Sequence, residues 1–271
     1  MPDKISVELG NVQKTLLLPL WGRAVEAQKK KPLLMDKTAV DIVGKIDYDF
    51  SKIESGISAI SRIGWIVRSL LMDRCILSFL ERYPRGTIVN IGCGFDTTFD
   101  RIDNGKLLWY DLDLPDVMQM RKNFIKENDR RKFIAESFLE HKWLERLEVP
   151  ENILFMAAGV LYYFEEHQIR SFFEKAADLF PNSEIVFDAT SPTGLKVANK
   201  TVIKSSGLNK NSFLKWGLQS AKKLKAWDKR IEIMEESVFF KDLKGKYDIK
   251  TKITAFMSDA LKMQYLVHLK L

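Results

Sequence analysis

Cysteine and histidine are nearly missing from this sequence. Two cysteines, Cys75 and Cys93, and three histidines, His141, His167 and His268, are spread over 271 residues. Two isolated cysteines make neither a disulfide framework nor a zinc pattern, so no metal is expected. No apolar run approaches the roughly eighteen residues of a membrane span. The longest uncharged stretch, Asn152 to Phe164, reads as a central strand and its exit loop. Met1-Pro2-Asp3-Lys4 lacks the charged-then-apolar layout of a secretion signal. With 46% hydrophobic and 29% charged residues, the chain is expected to be an ordinary globular, cytoplasmic protein without a membrane partner.

What is abundant is local positive charge. From Lys196 to Arg230 there are ten lysines or arginines and one acid, Asp228. That segment carries +9 of a net +7, leaving −2 for the rest of the chain. Such a segment reads as a solvated helical face, a cap over an anionic substrate, or a nucleic-acid patch.

The organising stretch is Thr87-Ile88-Val89-Asn90-Ile91-Gly92-Cys93-Gly94-Phe95-Asp96-Thr97-Thr98. A β-branched apolar run reads as a buried strand, and Gly-x-Gly then turns the backbone with no side chain between it and a ligand. A second apolar run, Lys106 to Tyr110, ends in Asp111-Leu112-Asp113. An acid at the tip of the next strand is how parallel α/β sheets hold a nucleoside ribose. The dinucleotide fingerprint needs a third glycine where Thr97 stands, which counts against NAD. S-adenosylmethionine needs no pyrophosphate cradle and stays open.

Along the chain, residues 5–46 read as helical with Pro19 marking a kink or break, and Lys29-Lys30-Lys31-Pro32 as a solvated turn. Residues 56–82 read as a long amphipathic helix with Ile57, Ile60, Ile63, Val67, Leu70, Leu71 and Leu77 inward, stopped by Pro84 and Gly86. From residue 87 the rhythm becomes strand and helix. Strands are predicted at 87–92, 107–112, 132–136, 152–158 and 184–189, with helices near 97–102, 115–128, 141–147 and 166–180. Five strands with intervening helices argue a parallel, doubly wound sheet. Residues 193–225 read as helical and basic, 230–236 as a strand, and Met263–Leu271 as an alternating edge strand. The chain divides into a helical extension (1–86), a cofactor-binding core (87–192), a basic helical cap (193–229) and sheet-closing strands (230–271), all within a single domain.

The whole chain resembles the leucine carboxyl methyltransferase family, within it the bacterial branch similar to polyketide-synthesis O-methyltransferases. The matching stretches are Thr15–Ala24, Ile46-Asp47-Tyr48-Asp49-Phe50, Val67-Arg68 with Asp73, Val89–Thr97, Tyr110–Pro115 and Ala158–Phe164. The resemblance implies S-adenosylmethionine as methyl donor and a class I methyltransferase fold, a Rossmann-like, mostly parallel seven-stranded sheet with the last strand inserted antiparallel. It also implies a role for Arg68 on the methionyl carboxylate of the cofactor, for Gly92, Cys93 and Gly94 as the close-approach turn, and for Asp113 on the ribose, with Asp111 second and Leu112 between them. Ser137-Phe138 falls where the family usually has Asp-Leu against the adenine. Ala158 stands where the family usually has Glu near the cofactor, which predicts weaker binding, compensation by another polar group, or a shifted substrate site. Arg23, Tyr162 and Tyr163 are candidate substrate-facing residues, the tyrosines being equally readable as core aromatics.

Methyl transfer to a carboxylate needs no general base, whereas a phenol with a pKa near 10 benefits from one. Scarce histidine and the basic segment favour carboxyl methylation of a small anionic acceptor, and the resemblance implies a polyketide-like one. Residues for metal-dependent catechol chemistry, an amino-methylating Asn/Asp-Pro-Pro loop, and a Pro-Cys nucleophile are absent after the fourth strand. Two other readings stand beside this one: an RNA-binding methyltransferase using residues 196–230, and a non-catalytic binding protein of the same fold. No protein partner is indicated.

Overall fold

The computed structural model describes residues 4–6, 11–51, 57–206, 213–242 and 247–271. Five strands follow one another in parallel: β3 (Thr87–Ile91), β4 (Leu108–Asp113), β5 (Arg131–Ala135), β6 (Ile153–Ala157) and β7 (Glu184–Ala189). Upstream, β1 (Ile5–Ser6) and β2 (Ile46–Asp47) make a separate two-stranded parallel pair. β8 (Glu232–Val238) and β9 (Tyr265–Lys270) complete a seven-stranded sheet of order β5-β4-β3-β6-β7-β9-β8. β9 runs antiparallel to both neighbours. It is therefore not the edge strand that its alternating sequence suggests. Residues Tyr265 to Leu269 are buried on both faces, and β8 takes the edge.

Side-chain alternation sorts the core into two layers. Val89, Ile91, Phe155, Ala157, Ile185 and Phe187 face one side, under α6 (Glu166–Leu179) and the buried Trp216, Leu218 and Leu224. Ile88, Leu154, Met156 and Val186 face the other, under α3 (Ala59–Arg82) and α4 (Thr98–Ile102). A third cluster joins α1 (Asn11–Ala27) and α2 (Lys37–Lys45) to Phe95 and Ile125. Pro19 lies inside α1 without ending it. The cost of an interior proline is about 3 kcal/mol. Burial of Leu17, Leu20, Trp21 and Ala24 offsets it, at roughly 1.5–3 kcal/mol for each large apolar side chain.

Other predicted elements differ in detail. Leu77, read as inward, is 46% exposed, because Met72, Cys75, Ile76, Phe79 and Leu80 form the buried stripe of α3. α5 (Pro115–Arg121) is shorter than predicted; Asn123 and Phe124 donate to carbonyls three residues back, and Phe124 turns onto Phe95. The helix predicted at 141–147 is two short 3₁₀ turns, Phe138–Glu140 and Lys142–Arg146, divided by His141 at φ 54°. α7 (Pro192–Ser206) is followed by irregular chain from 213 and a 3₁₀ turn, Ala221–Ala226; residues 207–212 of the predicted basic helix lie outside the described residues. α8 (Ile249–Ala260) was not anticipated, since its spaced apolar residues Ile249, Ile253 and Phe256 are mostly exposed and flanked by lysines.

At the amino end of β7, Glu184 is buried between His268 (2.8 Å) and Arg82 (2.6 and 2.9 Å). Burial opposes its ionisation, yet the hydrogen bonds from His268 and Arg82 hold the carboxyl below the usual range. A depressed folded pKa contributes stability above the unfolded value, about 4.3, which is lost as pH falls through the folded value. E184Q is therefore expected to have a lower urea midpoint than the parent at pH 7, with the gap closing below pH ~4. A gap that is constant with pH would contradict this.

Candidate active site

The strand order reverses at β3 and β6, and the crevice outside their carboxyl ends is where open α/β sheets bind ligands. β3 leaves the sheet into Gly92, whose φ of +62° favours glycine and whose Cβ, if present, would lie 2.6 Å from Val160. The turn is stitched to β4: the Gly92 and Cys93 N–H groups donate to the Leu112 carbonyl at 2.8 and 3.1 Å. Gly94 N–H donates to Asp113 Oδ2 at 2.7 Å, and Leu114 N–H to Oδ1 at 2.8 Å. Each carboxylate oxygen keeps a second lone pair, so Asp113 can still accept from two ribose hydroxyls. Burial pushes its carboxyl above the ordinary aspartate value, against the pull of both N–H groups.

Asp111, the second candidate for the ribose, is not available for it. It is completely buried, with Arg121, Arg131, Asn90 and Trp109 all donating to it. Its role is structural. Arg121 in turn donates to the Gly94 carbonyl (2.7 Å) and the Asp96 carbonyl (2.8 Å), clamping the glycine turn from beneath. Burial opposes the charge on Arg121, but Asp111 and Asp96 hold it firmly protonated.

Arg23 is corrected as well. It is 4% exposed and spends its guanidinium on Asp36 (2.9 Å) and the Phe95 carbonyl (2.9 Å), so it braces the turn rather than facing substrate. Asp36 is the hub there: it also accepts from Thr97, Arg101 and the Ala39 N–H that it caps. Neither Arg121 nor Asp36 was singled out from sequence. A buried acid reads as an ordinary N-cap until its partners 61 and 65 residues away are placed.

After β5, Ser137 Oγ accepts from Leu139 N–H at 3.3 Å, capping a short turn. The Phe138 ring turns away into the core, 4.8 Å from Phe172 and 5.1 Å from Phe164. What Phe138 can offer an adenine is its backbone. Cys93 is buried with its thiol pKa pushed well up by desolvation, and Leu112 is buried, so both contribute backbone rather than side-chain chemistry.

Across the crevice, Arg68 projects from α3 towards the Ala158-Gly159 exit of β6 and pairs with Asp188 of β7 at 3.3 Å. Tyr162 and Tyr163 follow with rings 5.1 Å apart, and belong to none of the three core clusters. Burial raises the Tyr162 phenol pKa well above its ordinary value; Tyr163, 37% exposed, is raised in the same direction where its hydroxyl is desolvated, so both stay protonated. The Tyr162 carbonyl accepts from the N–H groups of Lys215 and Trp216, at 2.7 and 3.2 Å, tying residues 213–218 over this exit. That strap is anchored by apolar side chains. The described lysines of the basic segment, Lys196, Lys200, Lys222, Lys223, Lys225 and Lys229, are exposed, and Lys215 and Arg230 pair with acids. The segment is a solvated face there, not a basic lining.

Gly92 and Gly94 put no side chain of their own on the turn, an acid with spare acceptor capacity stands at the tip of β4, and the Arg68 guanidinium lies at the exit of β6, on the other side of the switch point. These features fit S-adenosylmethionine, and with the inserted antiparallel β9 they define a class I S-adenosylmethionine-dependent methyltransferase. The chain belongs to the leucine carboxyl methyltransferase family, whose sequence profile matches residues 17–177. It is 27% identical over 223 residues to the tetracenomycin polyketide synthesis O-methyltransferase TcmP of Streptomyces glaucescens, covering 82% of this chain and 80% of that one. It is 29% identical over 206 residues to the S-adenosyl-L-methionine-dependent methyltransferase dpfgK of Gibberella zeae, covering 69% of each. Among solved structures, a Thermobifida fusca protein described as a methyltransferase superposes with a TM-score of 0.58 at 14% identity, over 92% of this chain and 93% of that one. A DUF574 family protein of Streptomyces avermitilis gives 0.55 at 10% identity, over 93% and 96%.

Proposed function

We propose that this methyltransferase acts on a carboxylate oxygen of a small acidic, polyketide-like molecule. The single observation that carries the reading is that no described side chain at the strand ends is set up as a base. Asp188 is engaged with Arg68 and the Gly159 N–H, Asp113 with the glycine turn, and the two phenols are held protonated. The histidines are elsewhere: His141 packs on Phe138 and Phe172, His167 is exposed on α6, and His268 pairs with Glu184 at the far end of β7. A carboxylate arrives ionised and needs no base. The likeness to TcmP supports oxygen as the acceptor atom and a polyketide-like frame.

S-adenosylmethionine, when bound, supplies an electrophilic methyl group on sulfur. The chain supplies alignment and exclusion of water. Asp113 would hold the ribose hydroxyls, Arg68 the methionyl carboxylate, and the backbone of Gly92 to Gly94 and of Ser137-Phe138 the nucleoside. Tyr162 and Tyr163 would line the acceptor side. The test is to incubate the protein with radiolabelled S-adenosylmethionine and a panel of hydroxy-aromatic acids, then treat the product with mild alkali. A methyl ester releases volatile label as methanol, and that is the expected result. An alkali-stable methyl ether would overturn the carboxylate reading.

A further inference from the structure

A buried carboxylate on β7 has no part in the site as read from sequence. Asp188 has no exposed side-chain surface, and 120 residues separate it from its partner Arg68. β6 and β7 pair in parallel with Ala157 opposite Phe187, so the next residues, Ala158 and Asp188, are neighbours on the same face of the sheet. Neighbouring strands are about 4.8 Å apart, so a short carboxylate on one strand reaches the space beside the other. Ala158 carries no polar side-chain atom there. Asp188 fills that space: Oδ1 accepts from Gly159 N–H at 2.5 Å and Oδ2 from Arg68 Nη1 at 3.3 Å.

This contact has a steric counterpart. Gly159 sits at φ +82°, and a Cβ on it would come within 2.6 Å of Arg68 Nη1. The turn after β6 thus brings its backbone directly against the guanidinium, and only a glycine allows the approach. Arg68 is 11% exposed, so its charge is largely out of water, a state that is costly without a partner. Asp188 is the acid in hydrogen-bonding contact with it. That contact uses one of five N–H donors in a planar, fixed fork.

We infer that Asp188 is a positioning residue for the cofactor's amino-acid arm: it balances and aims Arg68, and it supplies at β7 the carboxylate that β6 lacks at Ala158. The inference rests on Arg68 receiving the methionyl carboxylate, and the experiment separates the two. Calorimetry is run with S-adenosylhomocysteine, which has the amino-acid arm, and 5′-methylthioadenosine, which lacks it. The parent protein is expected to prefer the first. D188N keeps the size and an acceptor for Gly159 but removes the charge. It is expected to lose about tenfold in S-adenosylhomocysteine affinity, one charge-assisted contact, with methylthioadenosine affinity unchanged. Equal losses for both ligands would make Asp188 a merely structural residue and overturn the inference, as would no loss for either. R68M/D188N removes both charges of the buried pair, and so stays testable should D188N alone fail to fold. It is expected to bind the two ligands alike. A double variant that keeps the parent's preference overturns the inference, and an R68M variant that keeps it also removes Arg68 from the carboxylate.

Discussion

R121M is expected to lose roughly 3–5 kcal/mol of folding stability, the cost of breaking a buried charge pair by removing one partner. Arg121 and Asp111 are both fully buried, and their 2.9 Å contact is one of several that the guanidinium makes. Methionine fills similar volume but leaves the Gly94 and Asp96 carbonyls without their donor and Asp111 with Arg131 as its remaining cationic partner. A domain's total stability is roughly 5–15 kcal/mol, so the variant should sit near the edge of folding. Urea denaturation of parent and variant measures it directly. A loss below about 1 kcal/mol would mean that the clamp is dispensable.

The second large effect belongs to Asp113. D113A is expected to weaken S-adenosylhomocysteine binding about 100-fold, or roughly 2.7 kcal/mol, since hydrogen bonds to a charged group are each worth about 1.5–3 kcal/mol. Part of that loss comes through the turn, because Gly94 N–H gives up its acceptor. An analogue lacking the ribose hydroxyls isolates the rest: its affinity should fall far less in D113A than that of the complete nucleoside. Acid should mimic the substitution, because burial raises the Asp113 pKa and protonation reaches it earlier than a surface aspartate. D111N should behave differently. Its cost falls on stability, through Arg121 and Arg131, and a variant that stayed stable but lost only ribose affinity would reverse the assignment of the two aspartates.

Local pattern and tertiary arrangement contributed unequally. The glycine turn, the strands from 87 to 189 and the acidic end of β4 are legible in sequence because each depends on near neighbours. An apolar run buries itself, two glycines set a turn, and an acid follows its own strand. Arg68 is legible only through resemblance, since an arginine on an amphipathic helix is otherwise an ordinary snorkelling side chain. Where period alone was used it misled twice. Leu77 keeps helical spacing yet faces solvent, and β9 alternates like an edge strand yet lies between two partners.

By itself, then, the sequence determined that a parallel sheet carries a nucleoside turn after its first strand, with no dinucleotide cradle and few histidines. The tertiary structure decided that Asp111 is enclosed by its own partners while Asp113 holds the glycine turn, that Arg23 is a brace, and that the carboxylate beside Arg68 comes from Asp188. The physical reason is the same in each case. A charged side chain's role is set by what shares its low-dielectric surroundings. For Asp111, Arg23 and Arg68 the charged partners lie elsewhere in the chain, up to 120 residues away, and only the fold brings them within 3.3 Å.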